Sequence, residues 1–356
     1  TAAHLDCTVG VITPERTGRV EPSAATLIDS ALMTSARPTA DEPGRVRFAR
    51  PTRADSPDPE QVRQLVLRSL PDDLLLSRLV PHYQPQVDIE TGTISGYEAL
   101  VRLPHPTAGL ITSEPLVAAA TEHNLLHELD RVMFRAVCQD IVAWREQGVA
   151  LPPVSINMSP ASLQLHDVVD AALTCLEECR IPGEAVMVEV TESGSADPSP
   201  TMLRHIRRLR RAGLRIALDD FGTGSANLRT LQMLPMDSLK VSRALVHGDA
   251  VVPDIGDVLR VVRDIAEMFH VRLVCEGIEE ERDLAVAIAL GYRHFQGWYF
   301  GGAVPAAEVP RQLSRLQRGR RLESGHLARL LDRLDPRHRS DPGHVARLLK
   351  DQLRDE

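Results

Sequence analysis

Tyr97-Glu98-Ala99-Leu100-Val101-Arg102 is a short β-rich run with a carboxylate set inside it, and the same design recurs along the chain. Asn157 closes Val154-Ser155-Ile156, Glu189 lies in Val186-Met187-Val188-Glu189-Val190, and Asp219-Asp220 close Ile216-Ala217-Leu218. Lys240 follows Ser238-Leu239, Glu276 follows Leu273-Val274-Cys275, and Gln296 follows His294-Phe295. Strand patterns therefore fall at 97–101, 154–157, 186–190, 215–219, 238–241, 273–275 and 292–296. Helical patterns at 129–145, 168–178, 202–212, 258–268 and 280–290 alternate with them. Alternation of this kind predicts a parallel sheet covered by helices. About eight strands in about 230 residues favour a closed (β/α)8 TIM-like barrel over an open sheet. In such barrels the strand C-termini form the active face, and there the polar residues sit.

The chain has 356 residues, 43% of them hydrophobic and only 3% aromatic, so Leu, Val, Ile and Ala fill the core. Acidic residues number 49 against 41 basic, a balance that disfavours duplex nucleic acid as a partner. Five scattered cysteines (Cys7, Cys138, Cys175, Cys179, Cys275) argue against a disulfide framework and fit a reducing, cytoplasmic compartment. Cys175 and Cys179, one helical turn apart, read as packing residues. No apolar run approaches the roughly 18 residues needed to span a bilayer. The chain begins at Thr1 without a signal-peptide pattern, so a piece of a longer protein is expected, one that could be membrane-anchored upstream.

Residues 1–52 are too few for an independent core, and a connecting helix is expected within 53–74. The barrel is expected over 75–310. Beyond it, 311–356 carries a short repeat, Gly325-His326-Leu327-Ala328-Arg329-Leu330-Leu331 and Gly343-His344-Val345-Ala346-Arg347-Leu348-Leu349, read as a helical tail. The run Arg207-Arg208-Leu209-Arg210-Arg211 has no aromatic interleaving and reads as the solvated face of a covering helix.

Glu98, Asn157, Glu189 and Asp219 are hard oxygen donors of the kind Mg2+ or Mn2+ takes, and no His–Cys pattern suggests zinc. Two metals a few ångströms apart activate a water and stabilise the leaving oxygen of a phosphodiester. Consecutive Asp219 and Asp220 suit that arrangement, the first bridging two ions and the second reaching one. Lys240 could hold the attacking hydroxide or neutralise phosphate charge, and Glu276 could complete a second metal or accept the water's proton. Taken singly, a carboxylate at a strand end is a helix N-cap or a solvated loop residue. Glu189 is harder to dismiss, because an unpaired carboxylate inside a Val/Met strand is costly. The loop Phe221-Gly222-Thr223-Gly224-Ser225 lacks Walker spacing, which excludes a P-loop NTPase.

In order along the chain, Tyr83-Gln84-Pro85, Glu98-Ala99-Leu100-Val101-Arg102, Ser155-Ile156-Asn157-Met158-Ser159, Glu189-Val190-Thr191-Glu192, Asp219-Asp220-Phe221-Gly222-Thr223-Gly224, Leu239-Lys240-Val241, Glu276-Gly277-Ile278-Glu279 and Gln296-Gly297 resemble the EAL-domain family of cyclic-di-GMP phosphodiesterases. The resemblance implies hydrolysis of cyclic di-GMP to linear pGpG by a two-metal Mg2+ or Mn2+ site. It implies that Glu98, Asn157, Glu189 and Asp219 hold one ion and that Asp219 and Asp220 share the other, with Glu276 nearby. Lys240 would orient the nucleophilic water, Gln296 would support the water network, and Glu192 would brace the loop after Asp220. Arg102 would contact the substrate phosphate, Gln84 and Leu100 would join it in substrate binding, and Glu279 would stand near the second metal. Ca2+ is expected to inhibit, since its larger and looser shell spoils the geometry. A homodimer through the barrel is also implied. The first fifty residues resemble the end of a GGDEF domain, through Thr8-Val9-Gly10-Val11, Asp29-Ser30-Ala31-Leu32 and Gly44-Arg45-Val46-Arg47-Phe48, without its nucleotide-handling part.

Departures from the family pattern are Ser225-Ala226-Asn227 for the usual Tyr-Ser-Ser, Ser242 for an Asp, Leu103 for a Trp, Thr121 for a Glu, and Phe300-Gly301-Gly302 for a Ser-Arg-Pro ending. They leave every principal ligand in place, yet the changed loop gives a second reading, a catalytically weak or inactive barrel that serves as a cyclic-di-GMP receptor or regulatory module.

Overall fold

The structure, a computed structural model, describes residues 76–105, 108–191, 197–222, 228–243, 245 and 255–317. The expected remnant at 1–52, the expected linker at 53–74, the repeated tail, Glu192 and the loop Ser225-Ala226-Asn227 lie outside the described residues.

The strands are β1 (Val80–Asp88), β2 (Thr93–His105), β3 (Gly109–Ile111), β4 (Val154–Asn157), β5 (Val186–Thr191), β6 (Arg215–Phe221), β7 (Ser238–Val241), β8 (Arg272–Cys275), β9 (His294–Gln296) and β10 (Val304–Pro305). The helices, in chain order, are α1 (Ser113–Glu122), α2 (Leu126–Glu146), α3 (His166–Cys179), α4 (Pro200–Arg211), α5 (Leu228–Met233), α6 (Ile255–Phe269), α7 (Glu281–Ala289) and α8 (Val309–Gln317).

The chain forms two compact units. Among the described residues the smaller comprises 76–78, 102–105 and 108–123. Here the end of β2 pairs antiparallel with β3, Leu103 opposite Ile111. Arg102 donates to Ser113 Oγ at 2.7 Å, which ties β2 to the first turn of α1.

The larger unit, 79–101 and 124 onward, holds the barrel. Its strands run in the order β1, β2, β4, β5, β6, β7, β8, β9 and back to β1, so the ring of eight is closed. From β2 through β9 every neighbouring pair in this ring is parallel. β1 is the exception and corrects the expectation of a wholly parallel sheet, because it pairs antiparallel with β9. The physical reason lies in its connection to β2, where only residues 89–92 intervene. A parallel neighbour needs a crossover of a dozen residues or more, whereas a tight turn makes neighbours antiparallel. Asp88 shapes that turn by accepting from the amides of Glu90 (2.9 Å) and Thr91 (3.4 Å).

Alternation along each strand sorts the side chains. Val186, Val188 and Val190 of β5, Ile216 and Leu218 of β6, and Leu239 and Val241 of β7 join one core with α2, α3, α4 and α6. From α4, Met202, Leu203, Ile206 and Leu209 enter that core at helical spacing. Each such burial stabilises the fold by about 1.5–3 kcal/mol. Ser199 starts α4 by accepting from Met202 N at 3.1 Å, with Pro200 following as a favoured first-turn residue. The intervening strand positions face the barrel interior, and that set contains Glu98, Asn157, Glu189, Asp219, Lys240 and Gln296. Among the described residues no helix is long and apolar enough to cross a membrane.

Candidate active site

Lys240 is the hub of the barrel interior. Its side chain is 1% exposed, and its Nζ lies 2.7 Å from Glu189 Oε2, 2.7 Å from Glu276 Oε1, 3.1 Å from Asp219 Oδ1 and 3.2 Å from Glu98 Oε2. Four strands deliver those carboxyls, β2, β5 and β6 directly and β8 through the residue that follows it. Asn157 on β4 donates its side-chain amide to Glu98 Oε1 at 2.9 Å. Gln296 on β9 donates to Glu98 Oε2 and to Gln84 Oε1, the latter at 3.1 Å.

The register sets these positions. Asn157 pairs with Glu189, and Thr191 pairs with Asp219, so adjacent strand ends stand level at one rim. Between β6 and β7 the register shifts: Leu218 pairs with Leu239 and Phe221 with Val241, leaving Asp219 and Asp220 together opposite Lys240. This bulge solves a geometric problem. Consecutive residues of a regular strand point to opposite faces, whereas Asp219, Asp220 and Glu276 bring carboxylate oxygens within 4.8 Å of one another. Asp220 adopts φ 56° in the process, and its amide donates to Asp219 Oδ1 at 2.9 Å. Gly222 follows at φ 98°, and a Cβ there would stand 2.1 Å from Leu245 Cδ1. No other residue type meets both conditions without strain.

A second group overlaps the first. Glu98, Glu189 and Asp219 also bring carboxylate oxygens within 4.8 Å, so Asp219 belongs to both groups. Four carboxyls face one ammonium here, which leaves negative charge in excess. Burial, opposed by Lys240 and reinforced by Glu98 and Asp219, holds the Glu189 carboxyl well above its ordinary range. Burial likewise raises Asp219, and it pushes Glu276 up to about 8. Burial also pushes Glu98 upward, but Lys240 and the hydrogen bonds from Gln296 and Asn157 outweigh it and leave Glu98 lowered. For Lys240 burial opposes the charge, and the surrounding carboxylates overcome it, raising the ammonium well above its usual value.

The residues fit a divalent ion. Glu189 Oε1 is fully buried with no hydrogen-bond donor, a costly state for a carboxylate oxygen and the one a cation would relieve. The donors are oxygen atoms throughout, which suits a hard divalent ion.

Not every residue named from the sequence joins this cluster. Glu279 is engaged by Arg243 at 2.8 Å and belongs to neither carboxylate group. Arg102 is held by Ser113, and Leu100 is half-buried on β2, two residues beyond Glu98. One residue escaped the sequence reading: Gln86 is buried and donates to Gln296 Oε1 at 3.0 Å. Its spacing of two from Gln84 was the available signal, since both must face the same side of a strand.

The EAL domain family profile matches residues 67–303. Among curated proteins, the chain is 28% identical over 249 residues to the cyclic di-GMP phosphodiesterase NbdA of Pseudomonas aeruginosa, covering 70% of this chain and 31% of that protein. Among solved structures it is similar to the PaMucR phosphodiesterase in complex with c-di-GMP, with 28% identity and a TM-score of 0.64 over 69% of this chain and 99% of that one. It is also similar to the EAL domain of Mycobacterium smegmatis DcpA, with 31% identity and a TM-score of 0.57 over 67% and 98%. The chain spans between 30% and 39% of the length of the first curated relatives it matches. With the profile match covering more than half of its residues, this chain belongs to the EAL domain family.

Proposed function

We propose that the barrel hydrolyses cyclic di-GMP to linear pGpG, with two Mg2+ or Mn2+ ions held by its carboxylates. The observation that carries this reading is the pair of overlapping carboxylate groups that share Asp219, with the undonated Glu189 oxygen beside them. Glu98, Asn157, Glu189 and Asp219 would hold one ion, and Asp219 and Asp220 would share the other, with Glu276 nearby. Bound ions would restore these carboxyls to their charged form, acidify a water and take up charge on the phosphate oxygens.

The reaction forms a bond from a water oxygen to phosphorus and breaks the phosphorus–O3′ bond, and the departing O3′ takes up a proton to become a hydroxyl. The water's proton needs an acceptor, and Glu276 stands in the cluster as that base. Lys240 holds the attacking oxygen in line and offsets phosphate charge, a role that suits a lysine locked in one place by four carboxylates. Gln296, fixed between Gln86, Gln84 and Glu98, supports the water network. Arg102, Gln84 and Leu100 would serve as substrate contacts, Glu279 would act near the second ion, and Glu192 would brace the loop after Asp220. A homodimer through the barrel belongs to the same reading, and light scattering checks it. A cytoplasmic setting fits an intracellular nucleotide as substrate.

Product analysis decides the matter. Incubation with cyclic di-GMP and Mn2+ should yield pGpG. Intact nucleotide together with micromolar binding would instead assign a receptor, the reading favoured by Ser225-Ala226-Asn227 in the loop after Gly224.

A further inference from the structure

The end of the barrel opposite the carboxylates holds a cleft of about 420 Å³ lined by Arg207, Arg210, Arg211, Arg215 and Asp237. Arg215 opens β6, and Asp219 lies four residues further along the same strand. That separation is roughly 13 Å at the usual strand rise, so the cleft is a separate place from the carboxylate cluster.

Its charges do not balance. Asp237 is the one acid in the lining, and both of its oxygens are committed: Oδ1 accepts from Arg210 at 2.9 Å and Oδ2 from the amide of Ile216 at 2.9 Å. Arg207, Arg211 and Arg215 have no carboxylate partner among the described residues. Arg208, next in sequence, turns to Asp170 at 2.7 Å and lies outside the lining. Burial lowers the nearby Arg272 guanidinium, and the charge of Arg215 lowers it further. The partial negative charge of a helix C-terminus attracts cations to the last turn. It accounts for Arg210 and Arg211 but not for Arg207, one turn earlier, or for Arg215 on a strand.

We propose that this arginine cleft binds a small, multiply charged anion carrying phosphate groups. Guanidinium forks suit phosphate oxygens, and two or three of them together exceed what a single point charge provides. The cleft is polar and open to solvent, which suits a hydrated, highly charged ligand rather than an apolar one. No aromatic side chain lines it to stack a base, which separates this ligand from a nucleic-acid strand.

Calorimetric titration of the full chain, stripped of metal with EDTA, with inorganic tripolyphosphate tests the proposal. Saturable one-to-one binding is expected at about 50 mM salt, where screening is moderate. The double variant Arg207→Ala/Arg211→Ala and the single variant Arg215→Gln should each weaken it by about tenfold or more. Arg207→Lys/Arg211→Lys, which keeps the charge and guards against misfolding, should fall between wild type and the double alanine variant. Arg204→Ala, on the same helix but outside the lining, should bind like wild type. Absent saturation, undiminished binding in the double alanine variant, or an equal loss in Arg204→Ala would overturn the proposal. A single-stranded oligonucleotide that outcompetes tripolyphosphate at equal phosphate would overturn the small-anion assignment.

Discussion

Lys240 Nζ lies 2.7 Å from Glu189 Oε2, and neither side chain is more than 1% exposed. Breaking a buried pair by removing one partner typically costs about 3–5 kcal/mol, because a charge is left uncompensated. Lys240→Met should therefore lower unfolding stability by an amount of that order at pH 7 in metal-free buffer. The deficit should shrink toward pH 5, as the crowded carboxyls take up protons. Urea melts at the two pH values measure it, and an equal deficit at both would contradict the pairing.

Divalent ions should stabilise the folded chain. A ligand at a hundred times its dissociation constant adds about 2.7 kcal/mol. Mn2+ or Mg2+ should raise the Tm of wild type, and Asp219→Asn, which removes the carboxylate common to both groups, should lose most of the shift. Ca2+ should compete for the sites without supporting turnover, because of its larger shell.

Glu276→Gln should retain cyclic di-GMP binding and lose hydrolysis by about 10²–10⁴-fold, the range for general acid–base groups. Single-turnover product formation checks it. Near-wild-type turnover would remove Glu276 from the role of base.

Gly222→Ala should destabilise the chain by about 1–3 kcal/mol through backbone strain at φ 98°. The contact with Leu245 Cδ1 is the more easily relieved part, since a leucine methyl can swing away. Adding Leu245→Ala should then recover little. Full recovery in the double variant would show that the side-chain contact, and not the backbone, requires glycine.

His294 supplies a pH dependence of its own. Burial, helped by Arg272, lowers its imidazole to about 4. A histidine lowered in this way binds fewer protons folded than unfolded, so its contribution is present above about pH 6.5 and is lost as the pH falls toward 4. The loss should be on the order of 1–2 kcal/mol after allowance for solvent screening. His294→Asn should flatten the wild-type slope across that window in denaturant melts, and parallel slopes would rule His294 out.

The barrel was legible because β5, β6 and β7 carry apolar residues on one face and single polar residues on the other. Glu189 stood out in the sequence for the reason that makes it costly in the structure, burial among valines. β1 was not legible as a strand. Pro81 and Pro85 argue against one, and Gln84 and Gln86 face a polar interior rather than the apolar one that alternation normally marks. The bulge opposite Lys240 left no trace in composition either. Adjacent aspartates alone do not say that a register shift turns both to one side. The arginine cleft was visible only as a basic run, because Arg215, at the start of β6, and Asp237, just before β7, lie apart from that run in the sequence.

That register shift also decides which distances in the site can drift. Asp219 and Asp220 share one stretch of backbone, so the gap between their two carboxylates is a local dimension, stiff against breathing of the ring. Glu98 and Asn157 reach the same centre from other strands, and slippage between staves would move them first. Heating or mutation at the seam between β2 and β4 should thus draw Glu98 away from the cluster while the aspartate pair keeps its spacing.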